Sequence, residues 1–149
     1  MVGFFQGSFD LLHYGHIRAI ENARKYCKCL IIGLNTDRFY REYKNKKPII
    51  SYALRKKMLE AVKGVDKVVP VNSLSPIKCL KRYGPAIYFL CKEWVEGKDE
   101  EIAYMKSIGG KVVILPYYKG ISTSQIRHKA VENLVNHNRI LCAECHRKI

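Results

Sequence analysis

The chain has 149 residues, 48% of them hydrophobic, which suits one compact domain with its own core and excludes disorder along its whole length. Lysine and arginine number 27 against 13 acidic residues, a net charge of +14, so a polyanionic partner is expected: nucleic acid, an anionic membrane or a phosphorylated metabolite. No apolar run reaches the ~18 residues of a membrane span, and Met1–Asp10 has neither the basic start nor the long apolar stretch of a signal peptide.

Val2–Phe5 is a short apolar run ended by Gly7 and reads as a buried strand. A turn-rich stretch leads to a helix over His16–Tyr26, with Ile17, Ala19, Ile20 and Ala23 at helical spacing. Leu30–Leu34 is the second strand. Asn35 or Thr36 then caps a short helix to about Tyr43. The basic loop Lys44–Pro48 precedes a helix over Ala53–Val62, capped by Ser51 and stopped at Gly64. Lys67–Val71 is the third strand. Ser75-Pro76 places proline at the first position of a helix that ends at Gly84. Ile87–Cys91, a helix over Lys98–Ile108 and the strand Lys111–Leu115 follow. Ser122 caps the last helix, with Gln125 completing a capping box.

Strands that alternate with helices, and that are apolar throughout, predict a Rossmann-like α/β fold: a doubly wound, parallel, five-stranded sheet with helices on both faces. Apolar periodicity fades near His137. The chain therefore divides into a domain over 1–136 and a tail or short added helix over 137–149. Cys27, Cys29 and Cys91 border apolar runs and read as small buried hydrophobes. With no export signal, a cytoplasmic location and reduced thiols are expected. Cys142-Ala143-Glu144-Cys145-His146 has the form of a haem-attachment or zinc pattern, but one C-x-x-C without export reads first as a reduced helical tail.

Open parallel sheets bind ligands beyond the carboxyl ends of their strands. Two segments at that edge have the composition of anion sites. Between the first strand and first helix lies Gly7-Ser8-Phe9-Asp10-Leu11-Leu12-His13-Tyr14-Gly15-His16. His13 and His16 straddle Gly15 at a helix start, where free N–H groups and the helix dipole favour an anion. A zinc pair or a satisfied core pair is the other reading of two such histidines. The second segment, Lys119-Gly120-Ile121-Ser122-Thr123-Ser124-Gln125-Ile126-Arg127, sets three hydroxyls at another helix start, one of which serves as cap.

The first segment resembles the HxGH signature of the nucleotidyltransferase superfamily, in its cytidylyltransferase branch. The second resembles that branch's Arg-Thr-x-Gly-Ile-Ser-Thr run. The Lys44/Lys46 loop, Ser51-Tyr52 with Arg55, and Val65-Asp66 with Pro70 also match, so the likeness covers about residues 1–130 and is nearest to glycerol-3-phosphate cytidylyltransferases. It implies in-line attack by an acceptor oxygen on the α-phosphorus of CTP, with pyrophosphate leaving. In that picture His13, His16, Lys44 and Lys46 stabilise the triphosphate as charge builds. Gly7, Ser8, Phe9, Asp10, Gly15, Gly120, Ile121, Ser122, Thr123 and Arg127 bind the nucleotide. Arg55, Asp66, Glu93 and Trp94 face a small phosphorylated acceptor. Mg²⁺ enters with the triphosphate, bridging phosphates, without a protein cage. A homodimer is implied; nucleic acid and membrane insertion are not. An ATP-dependent adenylyltransferase, or a non-catalytic nucleotide- or nucleic-acid-binding protein, is the alternative.

Three positions depart from the family pattern. Tyr117-Tyr118 stand in place of Arg-Thr, Cys91-Lys92-Glu93-Trp94 in place of Gly-Asp-Asp-Trp, and Lys63 in place of arginine. Tyrosine cannot give arginine's bidentate grip on phosphate, so Lys119 or Arg127 is expected to supply the charge. From Arg38 to Lys67 the chain carries ten basic and three acidic residues, in keeping with two phosphorylated substrates.

Overall fold

A computed structural model describes residues 1–145, with side chains through residue 136. The chain runs β1 (Val2–Gly7), α1 (Tyr14–Arg24), β2 (Cys29–Asn35), α2 (Asp37–Lys44), α3 (Tyr52–Glu60), β3 (Lys67–Val71), α4 (Ile77–Tyr83), β4 (Ile87–Cys91), α5 (Asp99–Ser107), β5 (Lys111–Leu115) and α6 (Thr123–Cys145). A 3-10 turn, Lys92–Trp94, follows β4 and carries no periodic signal in the sequence.

The five strands form one parallel sheet in the order β3-β2-β1-β4-β5. The chain winds outward from β1 through β2 to β3, then returns to the other side for β4 and β5. The reversal lies between β1 and β4, and there the connecting loops diverge and leave a crevice.

Alternation along each strand sends side chains to two cores. Phe5, Leu30, Ile32, Leu34, Val68 and Phe89 pack beneath Ile20 and Ala23 of α1 and Leu59 of α3. Phe4, Ile31, Val69, Val71, Tyr88 and Leu90 pack beneath Leu80 of α4 and Met105 of α5. Burial on both faces explains why the strands are apolar without a period of two.

Thr36 is the cap of α2, with the Phe39 amide donating to its hydroxyl. Pro76 is the N-cap of α4, one place earlier in the helix than its expected first-turn position. Ser122 Oγ accepts the Gln125 amide at 3.2 Å, which is one half of the expected capping box; α6 then runs unbroken past residue 136. Before that point the helix carries Val131, Leu134 and Val135 in solvent. The side chains of His137, Cys142 and Cys145, and His146, lie outside the described residues, and the metal and haem readings of the tail lie there with them. Among the described residues no helix is long and apolar enough to cross a membrane.

Candidate active site

A cavity of about 330 Å³ opens over the carboxyl ends of β1 and β4, the reversal point of the sheet. Its walls come from the loop after β1, the start of α1, the end of α2, the turn after β4 and the start of α6. Gly7, Ser8, Phe9, Asp10, His13, Gly15 and His16 line it from one side, and Ile121, Ser122 and Thr123 from the other. Lys44, Glu93 and Trp94 also reach it. Residues more than a hundred positions apart in the chain thus meet at one crevice.

The histidines do more than line the wall. His13 is the N-cap of α1: its Nδ1 accepts the Gly15 amide at 3.1 Å. His16 Nδ1 accepts the His13 amide at 3.4 Å, which makes a reciprocal capping box built from two imidazoles. The rings stack 3.8 Å apart. In a neutral imidazole one nitrogen accepts and the other donates. With both Nδ1 atoms accepting, each ring offers an Nε2–H to the cavity. Burial lowers the His13 pKa, and burial followed by the charge of His13 lowers that of His16 to about 3, so both rings are neutral at pH 7. Phe9 supplies much of that burial, its ring 5.1 Å from His16. Gly15 is needed where it stands: a Cβ there would sit 3.0 Å from the His13 ring and 3.3 Å from the Ile121 carbonyl.

Two residues of this loop, Phe9 and Leu11, have positive φ of 47° and 50°. Each such non-glycine position costs on the order of 1 kcal/mol. Asp10, between them, holds the loop in that shape. Its carboxylate accepts the Ile49 amide at 3.0 Å and the Ile50 amide at 3.0 Å, and pairs with Arg127 Nη2 at 2.7 Å. Its carbonyl accepts the Thr123 hydroxyl at 2.7 Å. Burial pushes the carboxyl upward, but the two amides and the guanidinium outweigh it and keep the pKa below its ordinary value. Asp10, Thr123 and Arg127 were expected to hold nucleotide. In this structure the Asp10 carboxylate, the Thr123 hydroxyl and one Arg127 terminal nitrogen tie three loops together at the cavity edge.

Two residues expected to face the acceptor do not line the cavity. Arg55 is 1% exposed. It donates through Nε to the Ile50 carbonyl, through Nη1 to the Ser8 carbonyl and through Nη2 to Asp37. It braces the Gly7–Asp10 loop from behind, because each face of its guanidinium already has a protein partner. Asp66 lies just before β3, at the amino-end edge of the sheet, and binds Arg24 at 2.7 Å and the Leu30 amide at 2.7 Å. The parallel register puts it a full strand length from the cavity. Lys46 is exposed and Gly120 lies outside the main cavity. Lys44, half-buried over the Tyr40 ring, has its pKa lowered first by burial and next by Lys46; bound phosphate would reverse that.

The cavity also has residues that the motifs did not signal. Gln6 and Asn35 end the apolar runs of β1 and β2. Gln6 Nε2 donates to Asn35 Oδ1 and the Ser73 carbonyl, and Asn35 Nδ2 donates to Ser8 Oγ. Tyr43 and Trp94 meet 5.6 Å apart across the opening, and Tyr14 meets Tyr118 edge-on at 5.3 Å. A polar residue closing an apolar strand run was the available signal for the first pair; Trp94 was expected to face the acceptor, whereas the pairing of rings from separate elements had no local signal. Among the described residues no three metal-ligating side chains gather. A magnesium ion that entered with a triphosphate would be held by the phosphate oxygens, and Glu93 is a carboxylate on the cavity wall within that space.

Residues 4–129 match the family model described as cytidylyltransferase-like. Among curated proteins the chain is similar to the bifunctional protein HldE of Nitrosococcus oceani, 39% identical over 127 residues, and to that of Geobacter metallireducens, 34% identical over 131. These alignments cover 80% and 85% of the chain but 26% of each relative, so the chain spans about a quarter of their length. Among solved structures, a lipopolysaccharide core biosynthesis protein from Thermoplasma volcanium superposes with a TM-score of 0.68 at 23% identity, covering 81% of this chain and 98% of that one. A pantoate-beta-alanine ligase from Francisella tularensis superposes at 0.57 with 15% identity, covering 79% and 59%; both share the fold.

Proposed function

Because this chain belongs to the cytidylyltransferase-like family, we propose that it transfers a nucleotidyl group from a nucleoside triphosphate to a small phosphorylated acceptor. An acceptor phosphate oxygen attacks the α-phosphorus in line, the bond to the β-phosphate oxygen breaks, and pyrophosphate leaves. One observation carries the reading: two neutral imidazoles, each with Nδ1 occupied, offer Nε2–H donors at the start of α1 inside the sheet's crevice. Neutral donors fixed before the substrate arrives stabilise developing negative charge without giving up a proton. The start of α6 faces them and adds the Ser122 hydroxyl. Lys44 supplies charge that balances the triphosphate, and a magnesium ion entering with it, with Glu93 on the cavity wall beside it, would supply the rest.

Two donors fit this site. CTP follows from the resemblance of Lys119–Arg127 to the cytidylyltransferase run, with a polyol phosphate such as glycerol 3-phosphate as acceptor. ATP is favoured by Tyr117 and Tyr118, which replace the Arg-Thr opening and set two half-exposed rings on the cavity wall. A purine stacks on such rings over more area than a pyrimidine does. A cytoplasmic location, where such donors are found, and a homodimer belong to the same proposal. The test is pyrophosphate release with each of the four triphosphates, magnesium and a panel of phosphorylated polyols and sugars. Turnover with one donor well above the others supports the reading and names the nucleotide. Triphosphate binding without turnover on any acceptor overturns it in favour of a non-catalytic nucleotide binder.

A further inference from the structure

At the carboxyl edge of the sheet one backbone oxygen settles the direction of two side-chain amides. Gln6 and Asn35 follow Phe4 and Ile31 by even steps along β1 and β2, so they stand on the face covered by α4 and α5. The Ser73 carbonyl can only accept, so the group that meets it at 3.0 Å is the nitrogen end of Gln6. The same nitrogen meets Asn35 at 2.9 Å, which makes that atom the Asn35 oxygen and turns Asn35 Nδ2 to Ser8 Oγ at 3.0 Å. Both Gln6 amide protons are thereby used, while its Oε1 accepts from no donor among the described residues. That oxygen is within reach of a ligand. Gln6 is half-buried and lines the cavity. The buried side-chain atoms without a partner among the described residues are the Tyr88 hydroxyl and Arg127 Nε. Gln6 Oε1 is unpaired but not one of these, so it keeps accessible surface.

We propose that Gln6 is a specificity determinant whose Oε1 accepts a hydrogen bond from a hydroxyl group of the acceptor, with Asn35 and the Ser73 carbonyl as its positioning partners. This rests on the reaction proposed above. An amide oxygen has no proton to give and a phosphate oxygen has none either, so no part of the triphosphate chain suits Gln6 Oε1. The strand order β3-β2-β1-β4-β5 separates the subsites. Tyr117 and Tyr118, offered to the base, follow β5, and the phosphates take the starts of α1 and α6. The floor at the ends of β1 and β2 is left to the acceptor. A free amide would rotate to suit either a donor or an acceptor. Gln6 cannot, because turning it would set its oxygen against the Ser73 carbonyl and the Asn35 oxygen. It therefore selects a hydroxyl and turns away an acceptor that lacks one at that position.

The test compares the full chain with Gln6→Met, which keeps the length of the side chain and removes its amide. The probes are the phosphorylated polyols and sugars that the unaltered protein turns over, and their singly deoxygenated analogues. In the unaltered protein one particular deoxy analogue should show a KM about fivefold above its parent, the loss of one neutral hydrogen bond. Gln6→Met should raise the parent's KM by about the same factor, leave the triphosphate KM within about twofold, and turn over parent and deoxy analogue alike. A merely structural role would not erase the preference between two acceptors. If Gln6→Met does not fold, Gln6→Asn, which withdraws the amide by one methylene, takes its place with the same expectations. If no deoxy analogue differs from its parent by more than about twofold, or the preference survives in the variant, this assignment falls while the reaction stands. A raised triphosphate KM with an unchanged acceptor KM would place a ribose hydroxyl at Gln6 and also overturn it. If the unaltered protein turns over no acceptor with any triphosphate, the reaction itself falls and this role with it.

Discussion

Each end of the sheet is tied by one aspartate, and the two do different work. At the carboxyl ends Asp10 is buried, accepts two amides from the loop before α3 and pairs with Arg127 of α6. At the amino ends Asp66 is exposed, accepts the Leu30 amide and pairs with Arg24 of α1. Both are Asp–Arg pairs at 2.7 Å, yet of the two aspartates Asp10 lines the crevice over β1 and β4 and Asp66 does not. In a parallel sheet the chain can vary its loops at both ends, but only at the carboxyl ends do the loops lead into helix starts, whose free N–H groups attract anions. The amino ends face helix ends instead, and Asp66 has only fold to hold together.

That contrast can be broken by four tests at three residues. The largest effect is expected from His16→Ala, which removes one Nε2–H donor: kcat measured by pyrophosphate release should fall about a hundredfold or more while the circular-dichroism spectrum is unchanged. A kcat within about threefold of the unaltered protein would remove the histidine pair from the chemistry. Next is Asp10→Asn, which leaves Arg127 without its charge and loosens the strained loop at Phe9 and Leu11. Stability should drop by about 3 kcal/mol, read as a melting temperature lower by about 10 °C, and kcat should fall with it.

Acid should act on the same edge. His16 is neutral in the fold with a pKa of about 3, whereas an unfolded histidine titrates near 6.5. Below pH 6.5 the unfolded chain therefore takes up a proton that the folded chain refuses. Stability is lost as pH falls from 6.5 toward 3, by up to about 1.4 kcal/mol per unit. His16→Asn should flatten that slope in melting curves recorded between pH 6.5 and 4. An unchanged slope would mean that other groups dominate acid unfolding. The smallest effect belongs to Asp66→Asn. Its pair with Arg24 is partly exposed, so the cost should be about 1 kcal/mol or less, with kcat unaltered. A lowered kcat there would show that the two ends of the sheet are coupled.

Element positions were legible because apolar runs of five or so residues bounded by glycine, proline or capping residues leave few alternatives. β3, β4 and β5 begin and end where the runs do. β1 and β2 each extend to a polar residue that the run does not include: Gln6-Gly7 and Asn35. Those extensions carry the Gln6–Asn35–Ser8 hydrogen bonds at the cavity floor, so the error and the missed residues have one cause. The motifs placed His13, His16, Ser122 and Thr123 at strand-to-helix joints, where local spacing suffices. The structure sets Arg55 and Asp66 off the cavity wall, because a residue's neighbour in the sequence does not say which end of the sheet it faces or whether its charge is already paired.

By itself the amino-acid sequence determined the alternation of strands and helices, burial on both faces of the sheet and the two segments that start helices at strand-to-helix joints, since each rests on contacts within a few residues. The tertiary structure alone decided that these segments meet across one crevice, that Asp10 and Arg55 serve the scaffold, and that Tyr88 is left with a buried hydroxyl unpaired. Strand order, pairing of distant charges and satisfaction of buried polar atoms depend on which remote residues arrive at the same place, and no local pattern encodes that.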